Sequence, residues 1–251
     1  MVFPLVLSFR SREICAQVGA MRIIVNHLTR MQPGYICVAG VDPRTGEHVR
    51  PVQLGRLSRA LLMRYGGPFD IAALVDLGRV AHVGAPPKVE DYRFSVDEAR
   101  LHTITAPHDF WNLLHYTAQR GLTAIFGDDL RRHGGTCALP LGHGRASLGC
   151  LIPAGQPELV VSDAGTARLH FSDGVFEVRA AVTDLRLYEA NQQTLKRHVV
   201  DDVNRRIKRG VAVILSVGLG HPWQKPGDTA ERHWLQVNGV HLADNPVWQD
   251  F

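Results

Sequence analysis

Met21 to Val52 reads MRIIVNHLTRMQPGYICVAGVDPRTGEHVRPV, and the fold is decided in this stretch. Ile23–His27 is an apolar run that ends in a polar knuckle carrying His27, Thr29 and Arg30. Tyr35–Val41 and His48–Val52 are β-branched runs, and the Asp42-Pro43-Arg44-Thr45-Gly46 turn between them has hairpin chemistry. A strand, a knuckle and a hairpin are therefore expected, with Arg50 on the returning strand beside the knuckle.

Short strand signals continue outward from this stretch. Ile71–Leu77, Arg100–Ile104, Ser147–Ile152, Leu159–Val161, Ala167–Phe171, Val175–Val182, Val211–Val217 and His233–Leu242 are apolar or β-branched, with Gly, Pro and Asp between them. Two helices are expected. The first starts at Pro107 and stops at Gly121; the second is capped by Thr194, buries Leu195, Val199, Val203 and Ile207, and ends at Arg209 before Gly210. The chain reads as mostly β with two or three helices, built as two related β-modules in tandem.

At 251 residues the chain has room for one large domain or two small ones. Two are expected: a first domain over residues 21–126 and a second over 147–251. The Gly- and His-rich stretch 127–146 between them is read as a linker or ligand-facing loop. Residues 1–20 read as a leader or a mis-annotated extension, with Met21 as the natural start of the first strand. The formal net charge of +4 is mild, and it allows nucleic-acid binding without requiring it. Cys15, Cys37, Cys137 and Cys150 are scattered and form no CxxC pair, so reduced thiols in a cytoplasmic protein are expected. No segment reads as a membrane span.

At this point MRIIVNHLTRM, GYICVAGVD and HVRPV, together with VAVILSVGLGHPW and the ending RHWLQVNGVHL, resemble the bacterial dual OB domain proteins, which are described as nucleic-acid modification proteins. The resemblance runs from Met21 to about Trp248. It implies two OB-like small β-barrels packed in tandem and a nucleic-acid role, and it brings no catalytic set that can be placed on these residues. An OB barrel holds strands or oligosaccharides across one face, and the fold alone does not choose between them.

Candidate ligand contacts fall in three places. In the knuckle, His27, Thr29 and Arg30, with Arg50, offer donors suited to phosphate or a nucleobase; the bland alternative is that they cap strand ends. In the terminal strand, simple alternation puts Trp234, Gln236 and Asn238 on one side and His233, Leu235, Val237 and His241 on the other. Trp234 either stacks on a base or fills a core. In the 127–146 stretch, Arg131, Arg132 and Arg145 are placed to lie along a phosphate backbone.

Other constellations carry less. The helix bearing Lys196, Arg197, Arg205, Arg206, Lys208 and Arg209 also has Asp201 and Asp202 one turn earlier, so it reads as a solvated face. His133, Cys137, His143 and Cys150 are zinc-compatible in type but lack paired spacing, so no metal and no cofactor are expected. Glu90-Asp91 and Asp128-Asp129 are adjacent carboxylates that point apart, and no nucleophile elbow, P-loop or HExxH is present.

The leading expectation is a protein that binds single-stranded or locally opened DNA or RNA through its two barrels. The alternatives are an enzyme on nucleic acid or a nucleotide, with His27 or His233 as general base or acid, and a module that docks a protein partner.

Overall fold

The computed structural model describes residues 20–163 and 165–248. Ala20 opens the first strand, so the expected leader, with Cys15, otherwise lies outside the described residues. The first sheet contains β1 (Ala20–Arg30), β2 (Tyr35–Val41), β3 (His48–Val52), β4 (Leu57–Ser58), β5 (Ala73–Arg79), β6 (Ala81–His82), β7 (Asp91–Arg93) and β8 (Arg100–Ile104). Their order is β6-β7-β3-β2-β1-β5-β8, with β4 on β2. The second sheet contains β9 (Ala118–Gln119), β10 (Arg131–His133), β11 (Thr136–Pro140), β12 (Leu148–Leu151), β13 (Glu158–Val161), β14 (Ala167–Ser172), β15 (Glu177–Val182), β16 (Val213–Trp223) and β17 (Arg232–Leu242). Its order is β13-β14-β15-β17-β16-β12-β9, with β11 on β17 and β10 on β11.

The mostly β expectation holds, and three helices accompany the strands: α1 (Pro107–Thr117), α2 (Leu122–Phe126) and α3 (Arg197–Lys208). The sheets stay separate and do not close into one barrel. Among the described residues no helix is long and apolar enough to cross a membrane.

Two cores are present, the first also taking Cys150, Leu185 and Ile214 from the second half of the chain, and the helices divide between them. Phe110 and Leu114 of α1 pack with Ile23, Val25, Leu28, Val38 and Val75 on the first sheet, and with Phe69 from the segment before β5. Leu122, Ile125 and Phe126 of α2, and Val199, Val203 and Ile207 of α3, pack with Leu139, Leu169, Leu215 and Val237 on the second. Burying a leucine or valine of this kind contributes about 1.5–3 kcal/mol each.

Several elements depart from the sequence expectation. The first helix stops at Thr117 instead of 121, because Ala118-Gln119 turns extended and pairs in parallel with Cys150-Leu151. Ala118 still packs against the first core and Leu122 enters the second, so core membership changes over between them. Within 127–146, Arg131–Pro140 forms a hairpin whose second strand pairs Ala138 with Trp234 and Leu139 with His233. Cys137, Ala138 and Leu139 are fully buried there. The cap of α3 is Lys196, not Thr194; the Asn191 side chain accepts from the Gln193 and Thr194 backbone amides and draws that residue into a turn.

The modules are fastened along β1. Thr29 bridges to Asp184, and the Arg30 amide donates to the Thr183 carbonyl at 2.9 Å. Gln192, fully buried with φ 61°, accepts from the Gly34 amide at 2.7 Å and donates to the Tyr35 carbonyl at 3.0 Å. Glu90 crosses in the other direction: its carboxylate accepts from the Ser147 amide, the Ser147 hydroxyl and the Leu148 amide at 2.7–3.0 Å.

Candidate functional site

Two β-bulges create the surface between the modules. In β1, Val25 pairs with Gly40 and His27 with Ala39, so Asn26 is the additional residue. A bulge shifts the alternation by one, which is why Ile23 and Val25 before it and Leu28 after it all reach the first core. His27 and Thr29 are thereby turned toward the second module. In β17, Val237 pairs with Val217 and Gly239 with Ser216, so Asn238 is the additional residue. Leu235 and Val237 before it, and Val240 and Leu242 after it, enter the second core.

This corrects the face assigned to His241. Past the bulge, His241 shares the side of Gln236 and Asn238, and it meets Phe110 of the first module with ring centroids 5.4 Å apart. The two bulges also touch. Asn26 offers its carbonyl to the Ser216 hydroxyl at 2.9 Å, with His241 Nε2 at 3.2 Å. Asn238 Nδ2 lies 3.4 Å from His27 Nδ1, and its Oδ1 accepts from the Thr183 hydroxyl at 3.1 Å. Gly218 is required here, because a Cβ at that position would collide with the Asn238 amide.

Between the modules lies a cleft of about 630 Å³. His27, Thr29, Arg30 and Arg50 line one wall; Gln236 and Asn238 line the other. Six of the ligand-contact candidates read from the sequence are thus brought together from segments nearly two hundred residues apart. The lining adds Arg56, Lys88 and Asp91 from the first module, and His221 and Trp223 from the second.

The other candidates lie elsewhere. Trp234 is buried, donates from Nε1 to the Trp223 carbonyl at 2.7 Å and is covered by the Lys225 ammonium, 3.3 Å from its ring centre. Its position makes it the backing of Trp223, which is 54% exposed at the cleft. Arg131 donates to the carbonyls of Asp128 and Leu130, and Arg132 to that of Gly134. Arg145 donates to the Thr123 and Ala124 carbonyls at 2.7 and 2.6 Å, where it binds the carbonyls of α2. His233 is buried with Nδ1 2.9 Å from the Gly220 carbonyl. His133, Cys137, His143 and Cys150 are dispersed, and among the described residues no group of three or more His, Cys, Asp and Glu is arranged to hold a metal. On α3, Arg206 pairs with Asp202 four residues before it, as the sequence suggested, while Arg205 pairs with Asp202 at three residues and not with Asp201 at four.

The cleft holds unsatisfied polar atoms. Seven buried side-chain nitrogens and oxygens lack a hydrogen-bond partner among the described residues, and three of them line this cleft: His27 Nε2, Arg30 Nε and Arg50 Nη2. All three are donors. His27 Nδ1 accepts from the Asn238 amide, so its proton sits on Nε2. Burying a donor without an acceptor costs roughly 1–3 kcal/mol, more when it is charged. A ligand that brings acceptors recovers that cost.

The electrostatics point the same way. Burial lowers the His221 pKa, and Lys88, Arg50 and Arg56 lower it further. Burial, then Arg50, lowers the Lys88 pKa. His27 is held neutral, well below its ordinary pKa, by burial and then by His48, His241 and Arg50. The lining itself is cationic, with Arg30, Arg50, Arg56 and Lys88 beside one carboxylate, Asp91. Among the described residues no carboxylate hydrogen-bonds the ring of His27 or His233, which leaves each without the partner that orients a general base.

The sequence reading did not single out Lys88, His221 and Trp223. Lys88 follows the Pro86-Pro87 pair, and His221-Pro222-Trp223 is the end of the GHPW motif quoted above. For Trp223 the signal was the one that marked the knuckle, a polar or aromatic cluster at the end of an apolar strand; Lys88 and His221 are marked only by their meeting.

A family model described as Dual OB-containing domain matches residues 21–240. No curated protein matches the sequence.

Proposed function

The chain belongs to the dual OB-containing domain family, and on that premise we propose that it binds single-stranded or locally opened nucleic acid in the cleft between its two modules. The observation that carries this reading is the set of three buried, unpartnered donors, His27 Nε2, Arg30 Nε and Arg50 Nη2, lining one cleft. Arg30 and Arg50 suit phosphate oxygens. The amides of Gln236 and Asn238 and the imidazole of His27 suit base edges. Trp223, exposed at the cleft, supplies a stacking face, a contact that contributes about 1–3 kcal/mol per base. The free thiols of Cys37, Cys137 and Cys150 fit a reducing compartment, so the proposed setting is the cytoplasm.

Fluorescence anisotropy with labelled single-stranded DNA, single-stranded RNA and duplex over a salt series tests this. A single strand should bind, and log K should fall with log salt by about 0.7 for each phosphate neutralised. Failure of every strand to bind at low salt overturns the reading.

A further inference from the structure

We propose that the Arg50–Lys88 corner of this cleft is a subsite for a phosphomonoester, the terminal phosphate of a strand or of a free nucleotide. The inference deepens the nucleic-acid reading and rests on it.

Arg50 is built to present one edge of its guanidinium. Its Nε donates to Asp91 Oδ1 at 2.6 Å and its backbone amide donates to the Glu90 carbonyl at 2.7 Å, so neither the side chain nor its strand is free to turn away. The residue is 8% exposed, and Nη2 has no partner. Asp91 is occupied by Nε, so the free edge waits for an acceptor from outside the protein.

Lys88 approaches the same corner with unusual company. Its Nζ lies 3.2 Å from His221 Nδ1, and no carboxylate is within ion-pair distance among the described residues. The bond runs from the loop before β7 to β16 of the second module, so an anion at this point would touch both walls. Across the lining, the four basic side chains Arg30, Arg50, Arg56 and Lys88 face one carboxylate, Asp91. Burial lowers the pKa values of Lys88 and His221 first, and neighbouring cations lower them further, Arg50 at both and Arg56 at His221.

Size and charge together suit a chain end. A cleft of about 630 Å³ falls within the roughly 300–1,000 Å³ of small-ligand sites, room for a terminal nucleotide. A phosphodiester also brings a single charge. A phosphomonoester carries about −1.5 to −2 at neutral pH and three strong acceptor oxygens, enough to meet Arg50 Nη2, the Lys88 ammonium and one further donor at once. The first base would then lie toward Trp223 and the amides of Gln236 and Asn238.

The experiment uses the full chain and one oligonucleotide sequence in three forms, with a 5′-phosphate, with a 3′-phosphate and with hydroxyl ends, beside adenosine 5′-monophosphate, adenosine and inorganic phosphate, all by calorimetry. One phosphorylated end should bind about tenfold or more tightly than the hydroxyl-ended strand, the scale of one charge-assisted hydrogen bond. Adenosine 5′-monophosphate should exceed adenosine by a similar factor. Lys88→Gln and His221→Gln, which change opposite walls, should each collapse the difference, with circular dichroism confirming that the variants fold. Equal binding of phosphorylated and hydroxyl-ended strands overturns the subsite and leaves the nucleic-acid reading standing. Binding of adenosine 5′-monophosphate and inorganic phosphate, lost in Lys88→Gln, with no oligonucleotide binding, supports the subsite and overturns the nucleic-acid reading. No binding of any probe overturns both.

Discussion

Asn238 Nδ2 stands 3.4 Å from His27 Nδ1, joining the bulge of the terminal strand to the residue just past the bulge of the first. This contact fixes the His27 tautomer and so decides that a donor, not an acceptor, is left without a partner in the cleft. Asn238→Ala would strand His27 Nδ1 and remove the acceptor used by Thr183. A loss of roughly 1–3 kcal/mol is expected from urea unfolding. Asn238→Asp is the sharper probe. It keeps an acceptor for Thr183 and sets a carboxylate against the imidazole, so the His27 pKa should rise relative to wild type in an NMR titration. An unchanged titration would mean that the two side chains do not meet.

Acid should weaken the fold well before its carboxylates protonate. Burial, then Arg186, pushes the His241 pKa down to about 3; burial pushes that of His48 down to about 4; and His27 is lowered too. In the unfolded chain the same rings take up a proton near pH 6.5. Below that pH the unfolded state binds more protons than the folded one. The stabilising effect of neutral burial is therefore complete above pH 6.5 and is lost as pH falls toward 4 for His48 and 3 for His241. Each ring contributes up to about 1.4 kcal/mol per pH unit in that window. Urea midpoints measured between about pH 7.5 and 5 should drop steadily, and a flat profile would show that these histidines are not held neutral.

Gln192 tests the joint between the modules. Its side-chain amide replaces a strand neighbour for the Gly34 amide and the Tyr35 carbonyl, and its own carbonyl accepts from Arg30 Nη1 at 3.1 Å. Gln192→Ala keeps the φ of 61° and removes both amide contacts. The expected cost is roughly 1–3 kcal/mol. Hydrogen exchange at Gly34 should accelerate while that of Val237, deep in the second core, changes less. Equal acceleration at both sites would mean that the joint is not a local one.

The strands Tyr35–Val41, His48–Val52 and Arg100–Ile104 were legible residue for residue because turn chemistry marks both ends of each. His241 was not, because alternation assumes an unbroken pleat and the additional residue at Asn238 leaves no mark in composition. The hairpin at Arg131–Pro140 was hidden for a related reason: its buried strand has only Cys137, Ala138 and Leu139 to signal it, inside a Gly- and His-rich stretch. At the candidate site, the knuckle donors could be read from their own spacing. Lys88 and His221 could not, because what makes them notable is their meeting across the module boundary.

The two tryptophans near the end of the chain should separate stacking from support. Trp223 is exposed at the cleft, and Trp234 lies behind it, holding its carbonyl and packing against His133 with ring centroids 5.8 Å apart. Trp223→Ala should weaken single-strand binding by about 1–3 kcal/mol, the range for one stacked base, with little change in unfolding. Trp234→Ala should destabilise the fold by roughly 3–5 kcal/mol, as loss of a buried aromatic does, and should weaken binding only as far as Trp223 loses its anchor. The double variant would then bind no worse than Trp223→Ala wherever the protein remains folded. Greater loss of binding from Trp234→Ala than from Trp223→Ala, at matched stability, would move the stacking face to Trp234 and away from the cleft.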